Sequence, residues 1–178
     1  MANVLEALAW AARGTWIFPL PDGEKRPTDS FLELATNDPT KIEQFWRDPI
    51  KGSKELNIGV LCGSGGNWII IIDIDTKFDK RFNQSAIANY IAMGGHFDTL
   101  VVKTASGGLQ VYFKLPVGQT FRNMQGVVPN VDIRCENGYG IAPGSFSLAS
   151  GGGYEIYVDK PIAELPSAII PYLRPVKE

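Results

Sequence analysis

Hydrophobic and polar positions change their period several times along this chain, and each change marks an element. Residues 3–13 (NVLEALAWAAR) put Val4, Leu5, Leu8 and Ala12 on one helical face, with Gly14 as a stop signal. Thr15–Leu20 reads as a strand and Pro21–Pro27 as a turn or loop. Asp38 as N-cap and Pro39 at the first helical position predict a helix running to about Arg47. Asn57–Cys62 predicts a strand and Gly63–Asn67 a tight turn. Trp68–Asp75 (WIIIIDID) is the strongest strand: its isoleucines do not alternate with polar residues at first, which implies burial on both faces. A helix over about Asn83–Met93 ends at Gly94-Gly95. Strands follow at Thr99–Thr104, Leu109–Leu115, Val131–Arg134, Gly138–Ala142 and Tyr154–Tyr157, with a short helix before Pro175. Helices and strands mix early and strands dominate later. The order predicts an α+β fold with mixed or antiparallel central sheets flanked by helices.

Composition narrows this only modestly. The 178 residues fit one domain at roughly 150 residues each. With 44% hydrophobic and 20% charged residues, the chain is too apolar to be disordered. Apolar runs such as Trp68–Ile72 fall far short of the ~20 residues a membrane span needs, and no secretory signal is visible. Cys62 and Cys135 are too few for a disulfide framework or a four-thiolate zinc site and are expected as buried apolar residues. An intracellular, cytoplasmic protein is the expectation. A net charge of −2 argues against a non-specific coat on nucleic acid. Residues 99–134 nevertheless hold Lys103, Lys114, Arg122 and Arg134 against Asp132, a local balance of +3.

Four constellations could carry chemistry. Asp73 and Asp75 stand at i and i+2 of a strand, so their carboxylates meet the same space; hard oxygen donors at that spacing suit Mg²⁺ or Mn²⁺. An isolated D-x-D is about as often a strand simply emerging into solvent. Ser106-Gly107-Gly108 sits between two strands, where glycines let backbone N–H groups approach an anion, or merely close a hairpin. Gln110 follows on the second of those strands. Asp132 and Arg134 share one strand face, as a third acid with a phosphate-binding guanidinium or as an edge ion pair. Lys25 and Arg26 form a basic loop tip, a pattern common on solvated loops. His96, the only histidine, follows a helix end and has no partner spacing for a zinc site or a triad.

Together these pieces resemble the bifunctional DNA primase/polymerase (prim-pol) domain of plasmid and phage replication proteins. That family is a branch of the archaeo-eukaryotic primase superfamily. The resemblance runs from about Leu5 to Tyr157. It rests on Lys25-Arg26-Pro27, Ala35-Thr36 with Asp38-Pro39, Asn57-Ile58-Gly59-Val60 and the D-x-D strand. It continues through Ser106-Gly107-Gly108, Tyr112-Phe113, Val131-Asp132-Ile133-Arg134, Gly138-Tyr139 and Ala142-Pro143-Gly144-Ser145. Each piece is weak; their order and spacing are specific.

The resemblance implies an archaeo-eukaryotic primase-like fold with an RRM-like catalytic module, and residues 1–178 as a single catalytic domain. Because such domains are often fused to a helicase, it also implies excision from a longer primase-helicase. Asp73, Asp75 and Asp132 are implied as catalytic metal ligands for two Mg²⁺ or Mn²⁺ ions. Lys25, Lys103, Ser106, Gly107, Gly108, Gln110 and Arg134 are implied as nucleotide contacts. The implied partners are nucleoside triphosphates (NTP or dNTP), a single-stranded DNA template with its primer, and a fused or associated helicase, with no membrane. The family's second motif is of a Ser-x-His type; here Gln110 stands where that histidine is expected, and it can donate a hydrogen bond but carries no charge.

Rival readings fare less well. A haloacid-dehalogenase-type phosphatase wants Thr or Val where Lys77 stands. A glycosyltransferase leaves residues 104–145 unexplained. A primase-like domain that binds nucleotide or single-stranded DNA without catalysis remains as the alternative.

Overall fold

The computed structural model describes residues 3–21, 23–27, 30–47, 56–77, 79–82 and 85–176. Five α-helices and twelve strands lie among them: α1 Asn3–Ala12, β1 Ile17–Leu20, α2 Phe31–Leu34, α3 Pro39–Arg47, β2 Asn57–Leu61, β3 Ile69–Ile74, α4 Asp79–Phe82, α5 Ala86–Ala92, β4 Val101–Lys103, β5 Leu109–Lys114, β6 Met124–Val128, β7 Val131–Arg134, β8 Tyr139–Ile141, β9 Phe146–Ser147, β10 Gly152–Gly153, β11 Glu155–Val158 and β12 Ala163–Glu164. Ser64–Gly66 and Ile170–Tyr172 form single 3₁₀ turns. The fold is α+β with antiparallel sheets, as the pattern predicts.

A seven-stranded sheet runs β11-β4-β5-β3-β7-β6, with β12 added in parallel beside β5. A smaller antiparallel sheet, β1-β2-β8, packs over one face of it, and β9 and β10 form a separate hairpin. Pro19 sits in β1, an edge strand of the small sheet, where its missing N–H breaks no ladder. β3 lies at the centre of the large sheet between β5 and β7. Its Ile69 and Ile71 join a core with Trp10, Phe18, Ile42, Ile58 and Tyr112. Ile70, Ile72 and Ile74 face a second core with Tyr90, Met93, Val111, Phe113 and Ile133. The double-sided burial predicted for the isoleucine run is therefore observed.

The helices show which local signals decide. Asp38 Oδ1 accepts from Thr40 N (2.9 Å) and starts α3 as predicted, with Ile42 and Trp46 turned inward. α1 is rotated from its expected face: Ala7, Trp10 and Ala11 are buried while Leu5 is 72% exposed. Trp10 sets that rotation by packing against Tyr112, ring centroids 5.3 Å apart. α5 begins at Ser85, whose hydroxyl accepts from Ala88 N (3.1 Å); Asn83 and Gln84, where the sequence placed its start, lie outside the described residues. Asp22, within the expected turn over Pro21–Pro27, lies outside them too.

Candidate active site

Strand register assembles the site. Asp73 on β3 pairs with Gln110 of β5 on one side and with Asp132 of β7 on the other. Neighbours in register share a face, so Gln110, Asp73 and Asp132 form a row across three strands. The next row on that face holds Tyr112, Ile71 and Arg134. Asp75 follows just beyond the end of β3, its N–H donating to Asn130 O (2.9 Å) and its Oδ1 accepting from Lys77 N (3.0 Å). All three acids line a cleft of about 520 Å³, a size that suits a nucleotide-scale ligand. Lys25, Ser106, Gly108, Gln110 and Arg134 line the same cleft.

The charges there are unevenly solvated. Burial pushes the Asp73 carboxyl up to about 6. Arg134 and a hydrogen bond from the Gln110 side chain pull it back down, while Asp132 and Asp75 push it up. Arg134 Nη2 stands 3.8 Å from Asp73 Oδ2 and 3.9 Å from Asp132 Oδ2, two long pairs made by a side chain that is 45% exposed. Asp132 Oδ1 also accepts from Gly126 N (2.7 Å), where a bulge between β6 and β7 aims a backbone donor at it.

The rim is held by long-range hydrogen bonds. Asn57, buried at the start of β2, donates its amide to Glu24 O (2.9 Å) and Phe146 O (2.6 Å). Tyr139 Oη donates to Lys25 O (2.9 Å). Together they fix the loop that presents Lys25. On the opposite rim, Gly107 takes φ 96° in the turn between β4 and β5, a region that favours glycine. A Cβ on Gly108 would lie 2.7 Å from Ile74 O, so this turn sits directly against the end of β3 because position 108 has no side chain.

Two expected contacts fall elsewhere. Lys103 pairs with Leu109, so it points to the face of the large sheet opposite the acids. Gly107 does not line the cleft. His96 also lies away from it, edge-on to Phe113 in the second core, with Nδ1 accepting from Asp98 N (3.0 Å). Cys62 and Cys135 are buried free thiols, and desolvation raises both pKa values. Sequence reasoning missed Asn57 and Tyr139 as supports, and Thr104, Asn123, Asn137 and Tyr154 as lining residues. A polar Asn opening an apolar strand was the one available signal, for Asn57.

The donor chemistry suits a hard divalent cation, since three carboxylates line one cleft and burial makes the charge of Asp73 costly. As arranged, no group of three or more His, Cys, Asp or Glu among the described residues stands close enough to hold a metal ion, and the Arg134 guanidinium lies beside two of the acids.

The cleft thus sets a row of acids on an antiparallel sheet beside two cations, Lys25 and Arg134, groups whose chemistry is able to engage phosphate. A family model described as "Bifunctional DNA primase/polymerase, N-terminal" matches residues 7–168, and the chain belongs to that family. Membership implies DNA primase/polymerase nucleotidyl transfer in general, with nucleotide and DNA as substrates. A comparison with curated proteins found no match. No helix among the described residues is long and apolar enough to cross a membrane.

Proposed function

We infer that this chain is a catalytic domain for template-directed nucleotidyl transfer, a DNA primase or DNA polymerase of plasmid or phage replication. The observation that carries this reading is the in-register pairing of Asp73 with Asp132, with Asp75 at the strand end, in one cleft with Lys25 and Arg134. The strand order β7-β3-β5-β4, with α5 following β3, supports reading this part of the large sheet as an RRM-like catalytic module.

Asp73, Asp75 and Asp132 are the residues that would hold two Mg²⁺ or Mn²⁺ ions, whose chemistry there would be activation of a primer 3′-hydroxyl and neutralisation of pyrophosphate charge. The chain's own groups do the rest. Arg134, half-exposed and held only by long pairs, is available to a phosphate oxygen in bidentate fashion. Lys25 adds a second cation from a loop already fixed by Asn57 and Tyr139. The 104–108 turn brings Thr104, Ser106 and Gly108 to the same cleft. Gln110 orients Asp73 and makes no phosphate contact in this reading, because its amide is buried and bonded to that carboxylate. The protein contributes positioning and charge rather than a nucleophile.

One observation favours a second reading, a domain that binds nucleotide or single-stranded DNA without catalysis: Arg134 lies beside two of the acids that a metal would need. A primer–template assay with labelled nucleotides and Mg²⁺ or Mn²⁺ separates the two. Template-dependent product from the parent, and none from Asp73→Ala/Asp75→Ala, is expected. Nucleotide binding without product under either metal would establish the binder instead.

A further inference from the structure

Beside the acidic cleft, and sharing Asn137 with it, lies a second groove of about 510 Å³. Trp16 and Trp68 are among its walls, each 36% exposed, with Leu32, Ser64 and Asn67. Resting on the reading above, we propose that this groove receives the unpaired bases of the single-stranded template as they approach the acidic cleft.

The chemistry of the groove fits that occupant. Indole faces stack on any nucleobase, and the Asn137 amide and the Asn67 side-chain oxygen are groups of the kind that meet base edges. No charged residue is among those lining it, which suits bases rather than phosphates; Lys25 and Arg134 lie in the adjoining cleft. Asn137 lines both spaces, so they adjoin, and a template seated on the platform would have its next nucleotides beside the cleft.

The platform is also built rather than incidental. Trp16 O accepts from Leu61 N (2.9 Å) and Trp68 O from Leu115 N (2.8 Å), so both indoles hang from sheet backbone. Asn67 Nδ2 donates to Gly14 O (2.7 Å), tying the turn before Trp68 to the loop before Trp16. Ser64 donates from its N–H (3.0 Å) and hydroxyl (2.6 Å) to Glu136, and Thr120 also donates to that carboxylate. Asn67 and Trp68 both hold left-handed backbone, φ 61° and 60°, an unfavourable conformation for a residue as large as tryptophan. The fold keeps Trp68 there although the residue remains partly exposed.

The test is binding of a labelled oligo(dT) to the whole chain at low salt, read by anisotropy and by quenching of intrinsic fluorescence. Trp10 and Trp46 are buried, so quenching by stacked bases reports Trp16 and Trp68. Trp16→Ala and Trp68→Gly, the latter chosen because glycine relieves the left-handed backbone, are expected to weaken binding about 5- to 100-fold each. Trp16→Phe keeps a π face and retains binding. Thermal midpoints identify any variant that fails to fold; Trp16→Phe and the parent's own quenching then still decide the matter. Parent-like affinity in folded Trp16→Ala and Trp68→Gly overturns the proposal, as does an unquenched parent or a dimer abolished by the same substitutions. Quenching without template-directed product sinks the enzymatic reading and leaves the groove; product with tryptophan-independent binding does the reverse.

Discussion

Asp73 carries opposing demands: the proposed function needs its charge in the cleft, and burial makes that charge costly where it sits. With its pKa at about 6 against 3.8 for the free side chain, the folded protein binds a proton more tightly than the unfolded chain. The stability contributed by protonated Asp73 is therefore lost as pH rises from about 4 to about 6 and does not change further above that. Asp73→Asn should remove this slope and stabilise the metal-free protein at pH 7.5 by about 2–3 kcal/mol, read by urea unfolding, while abolishing template-directed synthesis. Gln110 acts on the same group. Its amide lowers the Asp73 pKa, yet its Oε1 and the neighbouring Tyr112 hydroxyl have no hydrogen-bond partner among the described residues. Gln110→Ala should raise the Asp73 pKa further and shift the acid limb of the kcat profile upward. The loss in kcat should be on the order of 10-fold, as for other residues that orient a ligand from behind. Unchanged pH dependence in that variant would show that Gln110 is only filling space.

At the scale of elements, the turn between β4 and β5 separates two roles of glycine. Gly107→Ala meets open space at φ 96° and should cost about 1 kcal/mol of stability through backbone strain alone. Gly108→Ala drives a Cβ against the Ile74 carbonyl; it should cost about 1–3 kcal/mol and weaken nucleotide binding as well, because β3 ends there beside Asp75. Unfolding and nucleotide titration of the two variants distinguish them. Elements with strong local signals were legible in the sequence: the isoleucine strand, the Asp38-Pro39 helix start and β7 over Val131–Arg134. β6 was not, because its bulge at Gln125–Val127 breaks alternation, and β12 is a two-residue parallel pairing with no period to read. α2 and α4 are single turns. The acids were legible because i and i+2 share a strand face. The position of Lys103 opposite them depended on which neighbour β4 took. The supports of Lys25 were hidden for a different reason: Asn57 and Tyr139 lie 33 and 114 residues from the carbonyls they hold.

At the scale of the molecule, the fold disperses the +3 balance of residues 99–134. Of its four cations only Arg134 lines the cleft, and Lys25 joins it from the first loop. About two phosphate contacts predict a slope near −1.4 for log K against log salt with single-stranded DNA. A slope steeper than about −4 would mean that cations outside the cleft carry the affinity. The central strand gives the site a further property. Because β3 belongs to both cores at once, the backbone under Asp73 has no independent hinge. Amide exchange at Ile70–Ile74 should proceed only through global unfolding, at the slowest rates in the chain. Adjustment during a reaction cycle is left to Arg134 and the rim. Heat should therefore remove the acids' alignment and the fold in a single transition, so activity lost at lower temperature would trace to the cleft's edges and not to its floor.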